Sequence, residues 1–309
     1  MPFEMKYSYS TMPKSRASTE GMQLLEGDVN NVRAMLPEDI IYANKDGKNL
    51  ILRMIYPQKV TDEEKSVKRP LIIHIQGSAW FAQNMNDHVM DMKEFVTAGY
   101  IAAIVQYRDS TMVKIPGQAE DAKTAVRYLY EHADELGIDT GRMFMSGDSS
   151  GGHTCLLCWA SWPVRGLMDE NDEPLPKITA FLDFYGPVDL LSMTEQTSAM
   201  DHIDMSCPES QAMGCQAIDP NMQERVKACS VLSYIDPQVL NAPLLILHGN
   251  KDRLVPFEQS VLLYESCKAA KKDSTFYAVN NADHGGAAFY CTAFYETVLK
   301  YLKSFEKTV

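Results

Sequence analysis

Five residues, Gly147-Asp148-Ser149-Ser150-Gly151, stand between a β-prone run at 142–146 and an apolar run at 152–162 that reads as a helix. A Gly-x-Ser-x-Gly pentapeptide in that setting is a sharp strand-to-helix turn that lifts one serine hydroxyl above the end of a sheet. It therefore requires a layered α/β structure with this strand inside it. By composition alone such a pentapeptide arises in roughly one chain of this length in ten, so its context has to carry the argument.

The context agrees. From Pro70 onward, β-rich runs at 71–75, 101–106, 142–146, 180–185, 244–247 and 275–279 alternate with helical patterns at 89–98, 118–135, 152–161, 257–270 and 288–305. Alternation of this kind predicts a mostly parallel sheet with crossover helices on both faces, and near-continuous apolar strands are those buried on both sides. Within 118–135, Ala119, Ala122, Val126, Leu129, Tyr130 and Ala133 recur at helical spacing, so one face packs on the sheet. Ahead of this core, 39–43 and 50–56 flank Asp46-Gly47, a strong hairpin turn signal, and are expected as antiparallel edge strands. Residues 1–36 read as an N-terminal arm with one short helix near 22–36, 61–69 as a charged loop, and 37–309 as one domain. Residues 187–243, rich in Met, Ser, Asp and Pro, break the alternation and are expected as a small cap-like insertion over the C-terminal edge of the sheet.

Two further runs place chemistry after strands. Leu244-Leu245-Ile246-Leu247-His248-Gly249-Asn250-Lys251-Asp252 and Thr275-Phe276-Tyr277-Ala278-Val279-Asn280-Asn281-Ala282-Asp283-His284 supply an acid and a histidine downstream of the serine. The order Ser149, Asp252, His284 differs from that of chymotrypsin-like and subtilisin-like proteases. A serine hydroxyl is a weak nucleophile at neutral pH; His284 would take its proton and return it to the leaving group, while Asp252 orients the imidazole. Asp283 and Asp148 are rivals for the acid. Asp252 is preferred because a side chain adjacent in sequence to the histidine or serine rarely points along the needed hydrogen bond. The oxyanion of a tetrahedral intermediate needs amide donors, expected at Ser150 and in the loop Gln76-Gly77-Ser78-Ala79-Trp80 at Ser78 and Ala79.

Charge and cysteine content narrow the partners. A net charge of −12 opposes nucleic acid as a main partner, and no apolar run approaches the roughly 20 residues that span a bilayer. The first 21 residues lack an apolar signal core, and seven dispersed cysteines suit a reducing compartment, so the expectation is cytoplasmic. Cys155 and Cys158 share a helical face and read as core residues. His202, Asp204 and Cys207 lack a fourth ligand. No metal and no cofactor are expected, and oligomeric state is left open.

These pieces resemble the α/β-hydrolase esterases and lipases related to hormone-sensitive lipase, and especially the bacterial branch of carbohydrate or feruloyl esterase-like enzymes. The resemblance runs from about Pro70 to the C-terminus. It rests on Gln118-Ala119-Glu120-Asp121-Ala122-Lys123, Gly147-Asp148-Ser149-Ser150-Gly151-Gly152-His153, Phe184-Tyr185-Gly186-Pro187-Val188-Asp189-Leu190 and His248-Gly249-Asn250-Lys251-Asp252-Arg253-Leu254-Val255-Pro256. It implies an α/β-hydrolase fold and a serine esterase acting through an acyl-enzyme on Ser149. The implied substrates are small-molecule esters, with acetyl or cinnamoyl groups on a carbohydrate or similar alcohol. The family usually carries His-Gly-Gly-Gly-Trp where this chain has Gln76-Gly77-Ser78-Ala79-Trp80; Trp80 is kept and is expected to touch substrate. Alternatives are a peptidase or thioesterase of the superfamily, or a non-catalytic ligand-binding protein on the same fold; binding proteins of that kind lose the histidine that His284 supplies here.

Overall fold

The computed structural model describes residues 6–59 and 67–306. Its centre is a sheet in the order β1 (Arg33–Met35), β3 (Lys48–Gln58), β5 (Ile101–Val105), β4 (Arg69–Ile75), β6 (Ile138–Asp148), β7 (Ala180–Phe184), β8 (Leu244–Gly249), β9 (Ser274–Val279), with β2 (Ile40–Lys45) also paired to β3. Strands β5 through β9 run parallel; β1, β2 and β5 meet β3 antiparallel. The β2–β3 turn is Asp46-Gly47, both with positive φ (51° and 78°), a backbone shape for which Asp and Gly are suited.

Helices cover both faces because the parallel strands are apolar on both. On one face α2 (Gly117–Glu131), α3 (Ser149–Ser161) and α6 (Glu258–Ala269) bury residues such as Ala122, Leu156 and Leu263 against Leu71, Ile73 and Ile246. On the other, α1 (Val89–Thr97), α7 (Gly286–Phe289) and α8 (Thr292–Lys303) bury Phe95, Phe289 and Val298 against Ile72, Ala102 and Leu245. The helix expected over 288–305 is thus two, broken at Tyr290 and Cys291.

The arm differs from expectation. Residues 22–36 contain no helix; Arg33–Met35 instead pairs with β3 at Gln58, Pro57 and Tyr56. Leu24 and Leu25 are 82% and 93% exposed, so an amphipathic turn there would have nothing to pack on. Most of the loop expected at 61–69 lies outside the described residues.

The segment 187–243 carries 3₁₀ turns at Ser192–Glu195 and Val231–Tyr234, with α4 (Pro208–Met213) and α5 (Gln223–Cys229) between them. It is laced to the body. Ala199 N–H donates to the Arg253 carbonyl (2.7 Å), Ile115 N–H to the Ala212 carbonyl (3.1 Å), and His153 Nε2 meets the Cys229 carbonyl (2.9 Å). Among the described residues no helix is long and apolar enough to cross a membrane.

Candidate active site

Register places the site before any side chain does. Ile75 pairs with Gly147, Gly147 with Asp183, Phe184 with Leu247, and Gly249 with Val279, so four loops leave the sheet at the same end and level. They are the 76–80 loop, the elbow at 148–149, the loop after β8 and the loop after β9.

Ser149 has φ 51°, a left-handed conformation that non-glycine residues rarely adopt. The strain is held by close packing at the flanking glycines. A Cβ on Gly147 would sit 2.2 Å from the Gly151 carbonyl oxygen, and one on Gly151 would sit 2.0 Å from that of Ile75. Only glycine lets β6, β4 and α3 approach this closely.

The hydroxyl so raised meets the other two residues. Ser149 Oγ lies 2.8 Å from His284 Nε2, and His284 Nδ1 lies 2.7 Å from Asp252 Oδ2. Asp252 Oδ1 accepts the amides of Leu254 (2.8 Å) and Val255 (2.9 Å). Burial alone would raise the Asp252 pKa, but hydrogen bonds from His248 and His284 and their charge outweigh it and hold the carboxyl well below the usual carboxylate range. His248 was not singled out as a site residue by its sequence. Its Nδ1 meets Ser260 Oγ at 2.7 Å, and its Nε2 faces both the Val255 carbonyl (3.1 Å) and Asp252 Oδ2 (3.2 Å), bracing the acid from behind.

The two rival acids are otherwise engaged. Asp283 Oδ1 accepts the amides of Arg253 (3.0 Å) and His284 (2.8 Å), and its Oδ2 pairs with Arg253 Nε at 2.5 Å. Asp148 turns away from His284: its Oδ1 accepts the Gly77 amide (2.8 Å) and its carboxylate faces His74 and His88. Burial opposes its ionisation, yet the charge of His88 and contacts with both histidines hold its pKa far below the ordinary range. Burial disfavours the His88 cation, but Asp148 and Asp91 outweigh this and push its pKa up to about 10.

The amides expected for an oxyanion divide. Ser78 N–H donates to Ser150 Oγ at 2.9 Å, and Ser78 Oγ meets Tyr107 Oη (2.9 Å), so the Ser78 amide is spent on holding the loop to α3. The Ala79 amide has no hydrogen-bond partner among the described residues, and the Ser150 amide lies in the first turn of α3, where a helix leaves its donors open. Trp80 departs from its expected place. The left-handed backbone at Ala79 and Trp80 (φ 54° and 56°) coincides with an indole only 2% exposed, packed edge-on to His153 at 5.3 Å. The cleft of about 710 Å³ at Ser149 is walled instead by residues including Ala79, Asp91, Tyr185, Leu254 and Tyr290. Tyr185 packs edge-on against His284 at 4.7 Å and shares a 2.8 Å hydroxyl contact with Tyr290.

The cysteine pair and the His202, Asp204 and Cys207 group have other partners among the described residues. Cys155 faces the Met145 and Leu182 carbonyls and Cys158 that of Ala119, as small core residues do. His202 pairs with Glu209 at 3.4 Å, and Asp204 caps Ser206.

Comparison with known proteins agrees with this fold. The BD-FAE family model matches residues 58–267. Esterase LipQ of Mycobacterium tuberculosis is 27% identical over 222 residues, covering 70% of this chain and 50% of that protein. The probable carboxylic ester hydrolase LipM of the same organism is 26% identical over 210 residues, covering 68% and 47%. The chain thus spans about half the length of these curated relatives. Among solved structures, a truncated carbohydrate esterase from gut microbiota superposes with a TM-score of 0.74 at 24% identity, over 91% of this chain and 99% of that one. Esterase 2 of Thermogutta terrifontis with propionate bound superposes with a TM-score of 0.66 at 23% identity, over 86% and 93%.

Proposed function

This chain belongs to the BD-FAE family, and from that membership we propose that it is a serine carboxylic-ester hydrolase whose nucleophile is Ser149. The observation that carries the reading is the continuous line from Ser149 Oγ through His284 to Asp252, with contacts of 2.8 and 2.7 Å. In this mechanism His284 Nε2 takes the hydroxyl proton as Oγ bonds to the acyl carbon. The oxyanion accepts the Ala79 and Ser150 amides. Collapse expels the alcohol oxygen, which takes the proton from His284, and leaves an ester on Ser149. Water repeats the sequence and frees the acid. Asp252, ionised and buried, keeps Nδ1 protonated and stabilises the transient imidazolium.

Short acyl groups such as acetyl, or a cinnamoyl group, on a carbohydrate or similar small alcohol are the substrates of this reading. Its supports are the family and a cleft lined largely by small residues, with Leu254 its one large aliphatic side chain among the lining residues. The seven cysteines, all unpaired, support a reducing compartment.

The test is Ser149→Ala together with an organophosphate. A chromogenic acetate ester should be hydrolysed by the native protein and not detectably by the variant, and mass spectrometry should find the adduct on Ser149. An adduct elsewhere, with Ser149→Ala still active, contradicts the assignment.

A further inference from the structure

Directly behind the elbow, three side chains that hydrolysis does not require converge on one point. His74 on β4, His88 before α1 and Asp148 at the end of β6 place one ligand-type atom each within 4.8 Å of one another. His74 is fully buried, Asp148 is 4% exposed, and His88 reaches the wall of the cleft.

The outer ring nitrogens are already held. His88 Nδ1 lies 3.0 Å from Asp91 Oδ2, and His74 Nδ1 lies 3.0 Å from Ser146 Oγ. A carboxylate can only accept, so Nδ1 of His88 carries a proton, and what faces Asp148 from its Nε2 is either the second proton of an imidazolium or an ion that takes that proton's place. If His74 donates from Nδ1 to the serine hydroxyl, its Nε2 presents a lone pair. Both Nε2 atoms face the Asp148 carboxylate, at 3.2 Å for His74 and 3.3 Å for His88. A lone pair facing a carboxylate repels it unless something positive lies between them, and no Lys or Arg among the described residues pairs with Asp148.

Geometry separates a proton from a metal. Charge-assisted hydrogen bonds between nitrogen and carboxylate close to about 2.7–2.9 Å. Both contacts are longer, and His74 Nε2, though buried, makes no hydrogen bond. The three ligand-type atoms lie within 4.8 Å of one another, and an ion with bonds of about 2.0–2.1 Å would draw them in to the roughly 3.3 Å spacing of a tetrahedral site. Imidazoles whose second nitrogen is fixed by a carboxylate or hydroxyl are the usual surroundings of such a site.

We propose that His74, His88 and Asp148 form a binding site for a zinc-like first-row divalent cation, with Asp91 and Ser146 orienting the two imidazoles. Two nitrogens and a carboxylate suit zinc rather than magnesium or calcium, which prefer all-oxygen sites. The site is a clamp. Asp148 also receives the Gly77 amide, so the ion ties β4, β6 and the start of α1 together beneath the 76–80 loop. It stands independently of the reaction assigned to Ser149.

The test reads metal content, not turnover. Full-length protein stripped with chelator, dialysed against zinc chloride and desalted should retain about one zinc per chain by elemental mass spectrometry. His88→Gln should abolish that retention, and Asp91→Asn should weaken zinc binding by about 10- to 100-fold in a competition titration with a chromophoric chelator. The half-exposed His132, remote in sequence from all three ligands, is the control: His132→Gln should bind as the native chain does. If His88→Gln fails to fold by circular dichroism, Asp91→Asn, at the cleft wall, decides the matter. Native protein that retains no zinc, or retention unchanged in both His88→Gln and Asp91→Asn, overturns the site and leaves His88 as an imidazolium bridging two carboxylates.

Discussion

At the residue scale, the question is which carboxylate serves His284: Asp148 and Asp283 adjoin the serine and the histidine in sequence, and Asp252 lies 32 residues before the histidine. Asp252 alone reaches Nδ1; Asp283 is turned toward two backbone amides and Arg253, and Asp148 toward the 76–80 loop. Asp252→Asn should lower kcat by roughly 10³- to 10⁴-fold, because an amide leaves the imidazole in the wrong tautomer. Asp283→Asn should cost less than about ten-fold, since its partners are structural. Steady-state kinetics on one acetate ester compares them, and a crippled Asp283→Asn beside a healthy Asp252→Asn would reverse the assignment.

At the scale of elements, a buried carboxylate shared by two cations joins three of them. Asp121 on α2 accepts the Arg108 amide (2.8 Å) and two guanidinium nitrogens, Nε (3.0 Å) and NH2 (2.7 Å), and also pairs with Lys45 at the end of β2 (2.9 Å). It thereby fastens the hairpin, the loop after β5 and α2. Removing one partner from a buried pair costs about 3–5 kcal/mol, because the remaining charges stay desolvated. Asp121→Asn should lower the urea midpoint by the equivalent of about 3 kcal/mol. A midpoint equal to the native one would mean that Lys45 and Arg108 find adequate partners in Glu170 and Asp46, which already touch them.

For the whole molecule, the loops at the end of the sheet wall the cleft above Ser149, and no residue of 187–243, expected as a cap, is among its lining residues. That segment touches the site's surroundings through residues 198–199, which bind the loop after β8 at the Arg253 and Leu254 carbonyls. The cleft is lined by His88, Asp91, Tyr185 and Tyr290 together with small residues such as Gly77, Ala79 and Ala287, and Leu254 is its one large aliphatic side chain. Each methylene placed in an apolar pocket is worth about 1–3 kcal/mol, and one left outside gains nothing. Acetyl and propionyl esters should therefore exceed octanoyl and longer ones in kcat/KM by ten-fold or more across a p-nitrophenyl series of two to twelve carbons. An optimum at eight carbons or above would mean that the cap opens onto a lipase-like channel.

What the sequence determined by itself was the layered sheet, the turn at Ser149 and the order of Ser149, Asp252 and His284. These are local: apolar strand runs, an Asp-Gly turn and glycines beside a serine act through their own backbone and nearest neighbours. Tertiary structure decided the rest. Trp80 was legible as an aromatic beside the site, but its burial depends on the left-handed turn at 79–80 and on His153 one turn along α3. The Ser78 amide was legible as a donor, but Ser150 Oγ claims it only when β4 and β6 pair in register. Residues 22–36 have helical composition in places, and the open edge of β3 takes Arg33–Met35 instead. His74, His88 and Asp148 lie 14 and 60 residues apart with no ligand spacing between them; only the parallel pairing of β4 with β6, and the return of the chain into α1, brings their ring nitrogens and carboxylate face to face.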